Sequence, residues 1–299
     1  MSPLYTKGLV LLAILGITLS GSACLAEGDF LVFSHRETKS FEQMLEALSK
    51  ADVVVVGEEH DHKLGHTLEL QILKGLQAHN PSQVFSLEMF ERDVQLTLNE
   101  YLADQISQSS FLAASRPWPT YATDYAPLIE FCKANRLPVI AANAPRRYVS
   151  AVSRKGQSIL LDLPKASKAY LAKLPISMDL PPEYDAALNA VFGNHGNTGA
   201  SMPSLPPFIK EGQALWDATM ADSILRGRKQ YRKSPIMQIN GSMHSDYGYG
   251  LVDRLRKTDK RLRVMVVSIK RDRAYPQVDA TQYEKTGDFV IVTGEEPKK

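Results

Sequence analysis

The chain has 299 residues, of which 44% are hydrophobic, and its 35 lysines and arginines nearly balance 33 acidic residues. A formal net charge of +2 gives no reason to expect nucleic acid or an anionic membrane surface as a partner. Because Cys24 and Cys132 are the only two cysteines, a framework of disulfide bonds is excluded.

The N-terminus has the three parts of a secretory signal peptide. Lys7 comes first, an apolar run extends from Leu9 to Leu19, and small residues follow. We expect residues 1–23 to be removed as a signal peptide, because the apolar run is too short to cross a hydrocarbon core of about 30 Å as a helix. The mature protein, residues 24–299, is predicted to be a single α/β domain.

The residues that end at Cys24, GSAC, resemble the cleavage box of a bacterial lipoprotein. We therefore expect Cys24 to carry acyl chains that anchor the protein to a membrane. Leu25 rather than Asp follows this cysteine, which favours an outer-membrane lipoprotein facing the periplasm or the cell surface. The alternative is cleavage after Ala26, which would release a soluble periplasmic protein.

Beyond the signal peptide, short apolar runs alternate with segments of helical periodicity. Apolar runs that are continuous rather than alternating are typical of strands covered by helices on both faces. The pattern predicts an α/β fold, with a parallel sheet flanked by helices and a smaller helical subdomain. The predicted strands are Val53–Val56, Val84–Leu87, Val139–Ala142, Ile236–Ile239, Val264–Ile269 and Phe289–Val292, and the predicted helices are Thr67–Ala78, Val94–Gln105, Tyr125–Asn135 and Gly212–Lys229.

The stretch between the third and fourth predicted strands interrupts this rhythm. Seven prolines lie between Ser158 and Phe208, together with the glycine-rich run GNHGN that begins at Gly193. A structureless segment of this length is uncommon inside a compact domain and is usually functional. We therefore predict that residues 147–210 form a helical subdomain or lid inserted in the domain.

Polar and ionisable residues occur where the predicted strands end. They are Glu58 and His60 after the first strand, Glu88 after the second, Asn143 after the third and His244 after the fourth. Ligands in open α/β sheets bind outside the carboxyl ends of the strands, so we expect these side chains to converge on one crevice. Two carboxylates in a partly buried cleft shift each other's pKa values apart, which suits one as an acid and the other as a base. Glu58 and Glu88 are the predicted catalytic pair. The alternative is that strand-end carboxylates and amides only cap the helices that follow.

Three of these residues also offer ligand atoms for a divalent metal. The nitrogen and oxygen atoms of Glu58, His60 and His244 are compatible with zinc, iron or manganese. The alternative is that such residues hydrogen-bond one another without a metal. His62 and His66 are four residues apart, as metal-binding pairs on helices are, but they lack the intervening glutamate of a zinc protease motif and are weak evidence for a metal.

Six motifs follow one another between Ser40 and Lys257. They are VGEEHD from Val56, LEMFER from Leu87, Trp118 with Tyr121 and Tyr125, PVIAANAPR from Pro138, WDATMA from Trp216, and GSMHSDYG from Gly241. With these motifs the sequence resembles the ChaN family of haem-binding lipoproteins, a branch of a wider superfamily that includes the Tiki/TraB and erythromycin esterase proteins.

The resemblance implies an exported lipoprotein that serves iron acquisition, binds haem through a tyrosine and dimerises around it. Tyr247 and His195 are the candidate iron ligands, and Arg146 and Arg147 are candidates for bidentate contacts with the haem propionates. The wider superfamily implies an alternative, a metal-dependent or carboxylate-based hydrolase. In that hydrolase the predicted catalytic residues, which activate water or bind a metal, are Glu58, Glu88, His60 and His244. A third interpretation is a non-catalytic binding protein for another periplasmic ligand.

Overall fold

The computed structural model describes residues 28–193 and 205–295 of the chain. The predicted signal peptide, Cys24 and His195 lie outside the described residues. Within the described part, no helix combines the length and the apolar character needed to cross a membrane.

Eight strands of the described chain form one sheet. They are β1 (Phe30–Ser34), β2 (Glu37–Lys39), β3 (Val53–Glu58), β4 (Val84–Glu91), β5 (Val139–Asn143), β6 (Ile236–Gly241), β7 (Val264–Arg271) and β8 (Phe289–Thr293). Their order across the sheet is β2-β1-β8-β7-β3-β6-β4-β5. Strands β3 to β8 pair in parallel, whereas β1 pairs antiparallel with both β2 and β8.

The predicted α/β fold is confirmed, but the sheet is mixed rather than wholly parallel. The six predicted strands are the six parallel ones. The hairpin of β1 and β2 was not predicted. β2 reads ETK, has no buried residue and carries no apolar pattern. β1 does carry a run of four apolar residues, Phe30–Phe33, of which Val32 and Phe33 are buried, but sequence reasoning passed over it.

Helices cover both faces of the sheet. One layer consists of α1 (Phe41–Leu48), α2 (Lys63–His79), α3 (Gln95–Leu102), α4 (Gln108–Ser115), α5 (Tyr121–Asp124) and α6 (Ala126–Asn135), and the other contains α10 (Ile209–Gln230) and α11 (Gly250–Thr258). Successive residues of a strand point to opposite faces. Val54 and Val56 of β3 accordingly pack in the first layer, whereas Val53 and Val55 pack against the second.

The segment between β5 and α10 is helical and has a small core of its own. It contains α7 (Arg146–Lys155), α8 (Lys165–Lys168) and α9 (Pro182–Gly193). Val149 and Val152 on the apolar face of α7 pack with Ala214 and Leu215 of α10. The predicted subdomain, residues 147–210, coincides with this segment except for residues 194–204, which lie outside the described part. Its role as a lid stays a prediction.

Candidate functional site

A cavity of about 380 Å³ lies at the carboxyl ends of the central strands. Because β6 lies between β3 and β4, with β5 beyond β4, the ends of these four strands are neighbours. The five strand-end residues expected to converge all line this cavity: Glu58, His60, Glu88, Asn143 and His244. The helical segment and α10 complete the wall with Phe192, Gln213 and Trp216.

The first histidine of the cavity is held by a buried carboxylate. Glu58 Oε1 accepts hydrogen bonds from His60 Nδ1 at 2.6 Å and from the Tyr125 hydroxyl at 2.7 Å. The His60 ring packs edge-on against Trp118, with 4.9 Å between centroids. Burial disfavours the charged form of Glu58, but the hydrogen bond from His60 and the nearby imidazole of His66 hold its pKa well below the usual range. Burial also disfavours the charged form of His60, but the bond to Glu58 and the charge of Glu88 raise its pKa overall.

The second histidine is held in the same way from the opposite layer. His244 Nδ1 donates to Asp217 Oδ1 at 2.6 Å, and the Tyr184 hydroxyl donates to the other oxygen of Asp217 at 2.9 Å. His244 Nε2 lies 3.6 Å from Glu88 Oε1. Burial works against the imidazolium, but the negative charges of Glu88 and Asp217 prevail and raise the pKa of His244 to about 9. His244 is therefore a positively charged imidazolium at neutral pH.

Glu88 lies beside both imidazoles. Its Oε2 accepts a hydrogen bond from the backbone N–H of Gly241 at 2.8 Å. A Cβ atom on Gly241 would lie only 2.8 Å from His60 Nε2, so the absence of a side chain there lets the His60 ring approach β6. Each Nδ1 is engaged by its own carboxylate, and His244 Nε2 faces Glu88 with the Gln213 amide 3.3 Å away. This arrangement can exchange protons with a ligand or water from two positions around one carboxylate.

Sequence reasoning missed Asp217, Tyr125 and Tyr184 as chemical participants. Asp217 belongs to the motif WDATMA, but it lies in the middle of α10 and no strand end marks it. The sequence offered only the spacing of Gln213 and Asp217, which are one turn apart on one face of α10. The structure shows that both are buried and contact His244. The two tyrosines are paired with carboxylates only through the tertiary fold.

The metal-ligand group that the described residues bring together differs from the predicted one. Ligand atoms of Glu58, His66 and Glu69 lie within 4.8 Å of one another, and all three residues are buried. Only Glu58 belongs to the predicted set. The other two predicted ligands use Nδ1 for hydrogen bonds, His60 to Glu58 and His244 to Asp217. Burial of His66 is outweighed by Glu58 and Glu69, which raise its pKa to about 11. Burial and the charge of Glu58 raise the pKa of Glu69.

Three of the residues predicted to contact haem lie within the described part of the chain, and all three are at the surface: Tyr247, Arg146 and Arg147. Tyr247 is 54% exposed and does not line the cavity, and its ring lies 5.6 Å from that of Tyr249. Arg146 is exposed at the start of α7, where it lines both the cavity and an adjoining groove of about 760 Å³. Arg147 lines the groove and pairs with Asp93 at 2.5 Å.

Comparison with known proteins assigns the family. Residues 44–255, which are 212 of the 299, match the family described as haem-binding uptake, Tiki superfamily, ChaN. The chain belongs to this family. The ChaN match includes every residue that lines the cavity, from Glu58 to His244.

One solved structure agrees with the ChaN assignment at the level of the fold. It is described as cofacial heme binding to ChaN of Campylobacter jejuni and has a TM-score of 0.66 at 19% identity, over 89% of this chain and 98% of that one. An erythromycin esterase, EreC, in an open conformation has a TM-score of 0.44 at 12% identity, over 84% of this chain and 78% of that one.

A curated relative matches only part of this ChaN family member. The protein RETICULATA-RELATED 5, chloroplastic, of Arabidopsis thaliana is 27% identical over 128 residues, which are 40% of this chain. The match takes in 17% of the plant protein, so the chain spans about a sixth of that relative's length.

Proposed function

We propose that this ChaN family member is an exported lipoprotein, anchored through Cys24, that binds haem for iron acquisition with Tyr247 as an iron ligand. The family gives the class of ligand. The observation that carries the choice of Tyr247 is an exposed phenol on a strained backbone: among the described residues, the Tyr247 hydroxyl has no hydrogen-bond partner.

The backbone at Tyr247 is unusual for a residue with a large side chain. Its φ of 59° and ψ of 14° place it in the left-handed region, which costs roughly 1–2 kcal/mol for a residue with a Cβ atom. Its N–H donates to Thr286 O at 2.8 Å, and glycines with positive φ follow at 248 and 250. Strained residues cluster at ligand clamps, and a tyrosine oxygen is an established ligand of haem iron.

Two further features suit a haem. The rings of Tyr247 and Tyr249 lie 5.6 Å apart, an aromatic pair suited to a flat apolar macrocycle. Arg146 has no ion-pair partner in residues 28–193 and 205–295, whereas Arg147 is neutralised by Asp93. Arg146 is therefore the better candidate for a bidentate contact with a propionate.

An exposed iron ligand suits haems bound at the interface between two copies of the chain. The ChaN protein of Campylobacter jejuni is described as binding heme cofacially. With Tyr247 at the surface rather than at the base of the cavity, haems on two copies of this chain could face each other. The proposal therefore includes a homodimer around haem.

The test is to titrate the detergent-solubilised full chain with hemin in wild-type form and as Tyr247→Phe. Loss of the phenolate should change the visible spectrum of the bound iron and weaken binding roughly tenfold or more, equivalent to at least about 1.4 kcal/mol. Tyr249→Phe is the matched control, because it removes a neighbouring hydroxyl but leaves the proposed ligand. A Tyr247→Phe protein with the spectrum and affinity of the wild type would refute this ligand assignment.

A second candidate function, hydrolysis in the cavity, is favoured by one specific observation. Two histidines, each oriented by its own carboxylate, flank Glu88. In this candidate mechanism Glu88 accepts a proton from an attacking water, and His244, charged at neutral pH, donates a proton to the leaving group. Asp217 orients the His244 ring so that Nε2 faces Glu88 in the cavity.

This candidate predicts turnover of at least one substrate in a panel of chromogenic esters and peptides, with and without added zinc or manganese. Asp217→Asn and Glu88→Gln should each lower that turnover by about 10²–10⁴-fold, because proton transfer is lost. Asp253→Asn, in the ion pair of Asp253 with Lys257 on α11, should leave it unchanged. A wild-type protein without turnover across the panel, or turnover that survives both active-site variants, would exclude the mechanism.

A further inference from the structure

Behind the cavity lies a buried group of ionisable residues that the proposed haem site does not use. Glu58 is 2% exposed, His66 is 6% exposed and Glu69 is fully buried. His66 Nδ1 lies 3.1 Å from Glu69 Oε2 and 3.4 Å from Glu58 Oε2. The spacing comes from local structure, since His66 and Glu69 are three residues apart on α2 and share one face, while Glu58 ends the adjacent strand β3.

Two oxygens in this group lack hydrogen-bond partners. Glu58 Oε2 and Glu69 Oε1 are both buried without one. Nδ1 of His66 can donate a single hydrogen, and its hydrogen bond goes to Glu69 Oε2. Buried carboxylate oxygens are normally hydrogen-bonded, paired with a cation or bound to a metal. These two oxygens therefore point to a ligand that the protein atoms alone do not supply.

The distances already match a coordination sphere. Nitrogen and oxygen ligands about 2.0–2.2 Å from a metal are separated by roughly 3.3–3.6 Å in a tetrahedron and by about 2.8–3.1 Å in an octahedron. The separation of 3.1 Å from His66 Nδ1 to Glu69 is that of an octahedral pair, and the separation of 3.4 Å to Glu58 is that of a tetrahedral pair. The ligand atoms of all three side chains lie within 4.8 Å of one another, so the two carboxylates need only close around an ion placed beside His66.

The outer contacts orient the ligands as they do at metal sites. His66 Nε2 lies 3.2 Å from the carbonyl oxygen of His60, and because a carbonyl can only accept, Nε2 must carry the hydrogen. Nδ1 is then the nitrogen that can bind a metal, and a carbonyl behind the other ring nitrogen is the usual support of a metal-bound histidine. On Glu58, His60 and Tyr125 both donate to Oε1, which leaves Oε2 for the ion.

We propose that Glu58, His66 and Glu69 bind one divalent transition-metal ion, with zinc or manganese as the expected class. The mixture of one imidazole and two carboxylates suits these ions. The metal takes the place of the proton on His66 Nδ1 and of any proton held by Glu69, and the displaced protons pass to solvent. Because Glu58 also lines the cavity, the ion would fix the carboxylate that orients His60. The site is independent of haem binding at Tyr247.

Zinc binding to the tag-free full chain tests the proposal. After treatment with EDTA, the protein is titrated with Zn²⁺, and the bound metal is counted by elemental analysis after dialysis. One ion per chain is expected. Glu69→Gln should weaken binding at least tenfold, because it removes a ligand but preserves shape. The matched control is Glu88→Gln, the same substitution in the cavity, and it should retain the ion.

A direct measurement covers the case in which Glu69→Gln does not fold. In crystals of the zinc-loaded wild-type protein, anomalous scattering should place the ion between Glu58, His66 and Glu69. The proposal is overturned if the wild type binds less than a stoichiometric amount, if Glu88→Gln loses zinc as Glu69→Gln does, or if the anomalous peak lies between His60 and His244.

Discussion

Replacing Arg92 by alanine is expected to lower the free energy of unfolding by about 3–5 kcal/mol, because it removes one partner of a buried ion pair. The Arg92 side chain is 11% exposed and lies 2.9 Å from Asp222 Oδ2. It also donates to the carbonyl oxygens of Thr219 and Leu171 and to the hydroxyl of Ser223. Arg92 thus fastens the end of β4 to α10 and to the helical segment. Burial lowers its pKa to about 10, which leaves it charged at neutral pH.

Arg226→Ala is the matched control, because Arg226 binds the same Asp222 oxygen at 2.8 Å but is 54% exposed. Exposed ion pairs contribute only about 0–1 kcal/mol, so this variant should stay close to the wild type. Arg92→Lys should also be destabilised, since one ammonium group cannot reach all the acceptors of the guanidinium. Urea unfolding measures all three variants. Equal stability of Arg92→Ala and Arg226→Ala would contradict the structural role of Arg92.

Replacing His66 by alanine in metal-free protein should cost a similar amount, about 3–5 kcal/mol at pH 7. The His66 cation lies between the buried side chains of Glu58 and Glu69, and its removal takes a counter-charge from the Glu58 carboxylate and a hydrogen-bond donor from Glu69. His79→Ala is the control, because His79 lies exposed in the last turn of the same helix and should change the stability by no more than about 0.5 kcal/mol.

The pH dependence of this effect has a definite sign. The pKa of His66 is raised from 6.5 in the unfolded chain to about 11 in the folded protein. Its stabilising contribution is therefore fully present below pH 6.5 and is lost progressively as the pH rises toward about 11. In EDTA, the stability advantage of the wild type over His66→Ala should shrink from pH 7 upward. An advantage that grows over this interval would contradict the charge assigned to His66.

Sequence patterns were sufficient for the central sheet. Val53–Val56 and the other continuous apolar runs were recognisable as strands because helices bury both of their faces. The edge strand β2 left no such pattern, since a strand at the edge of the sheet buries little and β2 reads only ETK. Its partner β1 carries a four-residue apolar run, FLVF, but the run alone did not indicate a hairpin. The parallel core was therefore predictable, and the edge strand β2 was not.

The residues of the candidate site also fall into a predictable group, at strand ends, and an unpredictable group, within helices. Glu58, Glu88 and His244 could be predicted to meet, because parallel strands bring their carboxyl ends to one edge of the sheet. Asp217 and Glu69 could not, because they lie within helices where sequence spacing gives the helix face but not its partner. Their roles depend on how α10 and α2 pack on the sheet.

The central claim, that this ChaN family member binds haem, is tested most directly by titrating the wild-type full chain with hemin while following visible absorbance and molecular mass by light scattering. We expect a saturable spectral change at one haem per chain, accompanied by a shift from monomer to dimer. A featureless titration, with no saturation and no change in mass, would contradict it.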